Sequence, residues 1–110
     1  MPTKPSDQIL ITVAPTGAET TKADCPQLPT TLEELVATAQ ECETAGAAMI
    51  HVHIRDAEHR PTLDQTRLRD TVQALHESTD LVVQLSTGGS VHDPLEDRLK
   101  VLDAQPTRAA

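Results

Sequence analysis

The chain has no Phe, Tyr or Trp among its 110 residues. Any core must therefore be assembled from aliphatic side chains and Ala, without the large area that each buried ring contributes. Twenty-four residues are Leu, Val or Ile, about 22%. That fraction lies just above the roughly 20% below which a highly charged chain tends to stay disordered. Cationic residues are scarce as well: nine Lys and Arg stand against seventeen Asp and Glu, a formal net charge of −8. Such a chain has no electrostatic footprint for nucleic acid or for an anionic membrane surface. Long apolar runs are missing, and none approaches the roughly 18 residues of a transmembrane helix. The opening MPTKPSDQ lacks the apolar stretch of a secretory signal. Cysteine is limited to Cys25 and Cys42, without CxxC spacing, and no disulfide is expected. These absences predict a soluble, cytoplasmic protein forming one small domain over residues 1–110.

What is present alternates between two periodicities. Gln8–Ala14 (QILITVA) is a short β-branched run that reads as a buried strand. A long polar loop with Pro15 and Gly17 follows. Thr30 or Thr31 then caps a helix whose first turn carries Glu33 and Glu34. Leu32, Leu35, Val36, Ala39 and Cys42 give that helix one apolar face, and Gly46 ends it. Ala48–Ile54 reads as a second strand, Arg55–Pro61 as a polar loop, and Leu63–His76 as a helix packed through Leu68, Val72 and Leu75. Leu81–Leu85 is a third strand, closed by Ser86-Thr87-Gly88-Gly89. Asp93-Pro94 opens a last helix, with Pro at its first position, running to about Leu102. Three βα units imply parallel strands with right-handed crossovers. Parallel strands need cover on both faces, which three helices do not supply. The series predicts an unfinished α/β fold that stops at the threshold of a fourth strand.

The side chains with chemistry gather near strand ends. His51 and His53 alternate with Val52 and Ile54, so the two imidazoles share one face of their strand. They suit two ligands of a zinc-type ion, or two hydrogen-bonded histidines in a polar interior. The paired glycines of Ser86-Thr87-Gly88-Gly89 allow close approach of an anion to backbone N–H groups, or simply make a βα turn. Glu19, in the loop after the first strand, can face the same end of the sheet or only solvent. Arg55 and Asp56 can pair so as to orient the histidines, or form an ordinary surface ion pair. His59 and His76 read as surface residues, and His92 as a remote ligand candidate. There is no GxSxG, GxGxxG or phosphate-loop lysine motif.

Taken together, TGAE (16–19), AGAAMIHVHIRD and STGG, in this order and spacing, resemble the β-keto acid cleavage enzymes, including their 3-keto-5-aminohexanoate branch. The resemblance runs from Ile9 to Ala110. It implies a (β/α)₈ TIM barrel, of which this chain carries the first three βα units, one divalent zinc-type ion per site, and a homo-oligomer. The implied reaction joins a β-keto acid and acetyl-CoA to give acetoacetate and a new acyl-CoA. By the same resemblance His51 and His53 are metal ligands. The resemblance also implies that Ser86, Thr87, Gly88 and Gly89 bind the substrate carboxylate and that Glu19 faces the variable end of the substrate, where its charge suits an amino substituent. A barrel typically needs about 250 residues. The carboxylate completing the metal shell, the general base and an assisting arginine are expected beyond Ala110, so the 110 residues alone are expected to be inactive. Two other readings remain: a non-catalytic piece that associates with other chains through its open edge and face, and an amidohydrolase-like metal-dependent hydrolase, in which an HxH pair sits on the first strand.

Overall fold

The computed structural model describes residues 7–88 and 91–104, and the backbone of 108–109. Four strands form a parallel sheet: β1 (Thr12–Val13), β2 (Met49–Val52), β5 (Val82–Leu85) and β6 (Arg108–Ala109), side by side in chain order. A small antiparallel hairpin, β3 (Ile54–Arg55) with β4 (Pro61–Thr62), rises from the end of β2. The crossovers are α1 (Leu32–Thr44) and α2 (Gln65–Ser78), followed after β5 by α3 (Leu95–Leu99) and a 3-10 helix (Lys100–Ala104).

Helix boundaries follow local chemistry. Thr31 caps α1, its hydroxyl accepting the Glu34 N–H while the Glu34 carboxylate accepts the Thr31 N–H. This reciprocal pair satisfies two orphan donors at once. Ala45 closes the helix and Gly46, at φ +113°, turns the chain away. Asp64 caps α2 by accepting the Arg67 N–H at 2.9 Å.

Strands in chain order, all parallel, make every right-handed crossover land on the same side. Leu35 and Ala39 of α1, and Leu68, Val72 and Leu75 of α2, pack with Ile50, Val52, Val83 and Leu85 in one aliphatic core, closed by Val101 and Ala104. The opposite face carries Thr12, Met49, His51, Val82 and Gln84, and among the described residues no helix packs on it. The sheet is thus apolar and sealed on one side, more polar and open on the other.

Several boundaries differ from those the pattern predicts. The ladder with β2 limits β1 to two residues, and Ile9, Leu10 and Ile11 stay exposed. The second strand breaks at His53, because Ile54 and Arg55 turn to pair with Thr62 and Pro61. The expected loop 55–61 is therefore a hairpin, with Arg55 buried at its base. Pro94 is the cap of α3, not its first turn, since its ψ of 151° is extended. The last helix tightens to 3-10 after Leu99. The chain also crosses the expected threshold, as Arg108–Ala109 pair with Gln84–Leu85 at the position of a fourth strand. Cys25 and Cys42 are free thiols.

Candidate active site

The register of β2 against β5 sets His51 beside Gln84, on the open face. Gln84 Oε1 lies 2.7 Å from His51 Nδ1. A carbonyl oxygen only accepts, so Nδ1 carries a proton, and in the neutral imidazole the lone pair is then on Nε2. His53 follows on the same face, its ring centre 5.3 Å from that of His51 at 65°. Among the described residues its imidazole has no hydrogen-bond partner. Burial, and then the neighbouring His51 and Arg55, hold His53 below its ordinary pKa, which favours the neutral, ligand-competent form.

These features test whether the pair fits a metal. A nitrogen ~2.0–2.1 Å from a zinc-type ion puts the ion about 3.2 Å from its ring centre, so two ligand rings lie at most about 6.4 Å apart. The observed 5.3 Å is inside that limit. The carbonyl on the far nitrogen of His51 is the usual support of a metal-bound imidazole. The pair fits as part of a shell, and no group of three His, Cys, Asp or Glu able to hold an ion occurs among the described residues.

A cleft of about 310 Å³ opens beside His53 at the carboxyl end of the sheet, lined also by Glu19, Ser86, Gly88, His92 and Arg98. The fold thus brings together Glu19, His53 and the turn of Ser86 and Gly88, three segments far apart in sequence. Ser86 is placed by its N–H, which donates to Val52 O at 3.1 Å. Its Oγ accepts the Gly88 N–H at 3.2 Å, which leaves the hydroxyl proton to donate outward. A Cβ at Gly88 would meet Ser86 Oγ at 3.5 Å, an ordinary contact, so no clash of the protein with itself requires glycine there. Thr87 is half-buried and does not line the cleft, and Gly89 lies outside the described residues. A larger cavity, about 370 Å³, lies between the first turns of α1 and α2. It shares His53 but includes neither Glu19 nor the Ser86 turn, so the smaller cleft is the better candidate.

Arg55 and Asp56 do not form the expected pair. The Asp56 carboxylate accepts the N–H groups of Glu58 and Arg60 at 2.9 Å and bonds Arg60 Nε at 3.1 Å, closing the hairpin turn. The Arg60 N–H, foremost, holds Asp56 below its usual pKa. Arg55 is only 3% exposed and donates to three backbone carbonyls: His59 at 3.0 Å, Gly17 at 3.0 Å and Thr20 at 2.9 Å. Neither side chain hydrogen-bonds to His51 or His53 among the described residues, although the Arg55 charge acts on His53. The strand turns after His53, and Arg55 is carried into the hairpin base. His59 is exposed as expected, yet its Nδ1 lies 2.8 Å from Thr30 Oγ1.

Three features escaped the sequence pattern. Gln84 was legible only through the register of β2 on β5. Arg98 reaches the cleft from a helix whose direction no periodicity gave. The long loop after β1 is held down by Thr16 Oγ1 on Pro29 O (2.8 Å) and by Lys22 Nζ on Glu34 (2.7 Å) and Leu28 O (2.9 Å).

A singly wound parallel sheet, with two histidines on its open face and a polar cleft at its carboxyl end, defines the class: an α/β protein with an enzyme-like site at the strand ends. A sequence model of the beta-keto acid cleavage enzymes matches residues 8–110, and the chain belongs to that family. It is 38% identical over 104 residues to a 3-keto-5-aminohexanoate cleavage enzyme of Fusobacterium nucleatum, covering 94% of this chain and 38% of that one. The same identity holds over 105 residues with the enzyme of that name from Acetoanaerobium sticklandii, again covering 94% and 38%. A 3,5-dioxohexanoate:acetyl-CoA acetone transferase of Paraburkholderia graminis is 37% identical over 94 residues, 84% of this chain and 30% of that protein. The chain therefore spans 38% of the length of the first two relatives and 30% of the third. Membership of this family sets aside the amidohydrolase-like alternative.

Proposed function

We propose that this chain is the first part of a (β/α)₈ barrel that cleaves a β-keto acid with acetyl-CoA, giving acetoacetate and a new acyl-CoA. The observation that carries the reading is the His51–His53 pair on the open sheet face, with Nδ1 of His51 engaged by Gln84, above a cleft holding Glu19 and Ser86. Helices on one face only suit a barrel wall, whose inner face lines the site. The names of the relatives, a cleavage enzyme of a 3-keto acid and an acetyl-CoA-dependent transferase, support the substrate class.

In this reading His51 and His53 hold a zinc or similar divalent ion, and Gln84 fixes the tautomer that leaves Nε2 of His51 to coordinate. The ion supplies Lewis acidity to the keto group of the substrate. Ser86 donates its hydroxyl proton to the substrate carboxylate, beside the Arg98 guanidinium. Glu19 faces the far end of the substrate, where its charge favours an amino substituent. Thr87 and Gly89 belong to the same carboxylate turn. The remaining metal ligand and the base come from outside the 110 residues, so the chain alone is inactive. The working form is a cytoplasmic homo-oligomer.

The test is acetoacetate release from candidate β-keto acids and acetyl-CoA by the protein isolated from its source cells, with metal content measured alongside. Activity that disappears in His51→Ala and His53→Ala together with the metal supports the reading. Cleavage that persists in the double variant would falsify it.

A further inference from the structure

We infer that Arg55 is a positioning residue that clamps the Glu19 loop against the metal strand, so that substrate selectivity at the far end of the cleft depends on a guanidinium that never touches substrate. This inference rests on the proposed reading of Glu19. Arg55 lies two residues beyond His53 on the same chain segment, and its backbone is fixed by the β3–β4 hairpin. Its Nη2 donates to Gly17 O at 3.0 Å and Thr20 O at 2.9 Å. These two carbonyls bracket Ala18 and Glu19, both of which line the cleft with His53. Its Nη1 donates to His59 O at 3.0 Å, which ties the hairpin turn into the same clamp. The side chain makes no ion pair among the described residues, so all the bonds described are to neutral backbone.

This arrangement is unusual for a residue 3% exposed, because a buried cation is normally paired with a carboxylate. Here the fork geometry is what is used. A planar guanidinium sends its protons in fixed, diverging directions, and three carbonyls from two separate loops meet them. A lysine ammonium is a point donor on a flexible stem and does not reproduce that span. Gly17, at φ +66°, supplies the turn that aims its carbonyl inward. Glu19 itself is exposed and makes none of the side-chain hydrogen bonds found among the described residues. Its position is therefore set by the backbone on either side of it, and Arg55 holds both ends.

The experiment combines hydrogen exchange with selectivity on the protein isolated with its metal and whatever chain completes it. In the unsubstituted protein the amides of Asp24 and Cys25, both bonded to Thr21 O, are expected to exchange slowly. Rapid exchange there overturns the clamp without any variant. In Arg55→Lys and Arg55→Met, segment 17–25 is expected to exchange at least about tenfold faster. The amides of α2 and β5 and the bound metal are expected to stay unchanged. The ratio of kcat/KM for amino-substituted over neutral β-keto acids is expected to fall about tenfold in Arg55→Lys, to the level of Glu19→Gln, with kcat for the neutral substrate retained. Unchanged exchange at 17–25, or metal loss with selectivity intact, overturns the inference. Should the unsubstituted protein cleave no β-keto acid, the functional reading fails while the exchange arm still decides the clamp. Wholesale unfolding of the Met variant leaves the decision to Arg55→Lys and to the unsubstituted loop.

Discussion

At His51 the proton on Nδ1 is placed by a single carbonyl, that of Gln84 at 2.7 Å. Gln84→Leu keeps the volume on the open face and removes the acceptor, so Nε2 loses its preferred tautomer and orientation. Loss of such a support typically weakens metal affinity about 10–100-fold. Titration calorimetry with zinc on the two proteins measures this, and equal affinities would contradict the metal reading. Glu34 gives a pH prediction at the same scale. Lys22 above all, with the Thr31 N–H, lowers its pKa from 4.5 to about 2, although its side chain is 38% exposed. A carboxylate with a depressed folded-state pKa stabilises the fold fully above its ordinary value, and that contribution is lost as pH falls through the folded value. Stability is therefore expected to drop between about pH 5 and 2, and to drop less steeply in Glu34→Gln. Denaturant midpoints measured across that window compare the two slopes.

At the scale of the element, α1 depends on its first turn more than on its propensity. The capping box at Thr31 and Glu34 satisfies two backbone donors that have no partner within the helix. Thr31→Ala is expected to cost about 1 kcal/mol in urea unfolding. Leu75, fully buried against β5, sits at the other extreme. Its replacement by Ala removes three side-chain carbons from a core without rings to fill the gap, and should cost about 2–5 kcal/mol. A cost for Leu75→Ala no larger than that for Thr31→Ala would mean that the aliphatic core is not tightly packed.

At the scale of the whole molecule, what dominates is the asymmetry of the sheet. One face is sealed by α1, α2 and the 3-10 helix, while the face with His51 and Gln84 carries no helix among the described residues. Apolar side chains also remain in water, with Ile9 and Val91 each 87% exposed, and Leu95, Leu99 and Leu102 also exposed. The hydrophobic effect favours covering such surface. The isolated 110 residues are therefore expected to self-associate, with a sedimentation coefficient that rises with concentration. A monomer at every concentration would show that the open face is stable in water.

Much of this was legible in the residues. Strand–helix alternation, a threonine cap at 30 or 31, the Gly46 stop and the Leu68, Val72, Leu75 stripe all follow from local periodicity and capping chemistry, which need no distant partner. The shared face of His51 and His53 follows from the two-residue period of a strand. Other features depend on which segments meet in space. The break of β2 at His53, the hairpin at 54–62, the burial of Arg55 and its grip on Gly17 and Thr20 all join residues up to 38 positions apart. The pairing of Gln84 with His51 is a matter of register, which is set by the core on the opposite face and not by either residue's neighbours. The sequence by itself determined the main alternation of strand and helix and the family, because those rest on local pattern and motif. Only the tertiary structure decided which side chains reach the cleft and what holds them there, because a hydrogen-bond partner across two loops is chosen by packing.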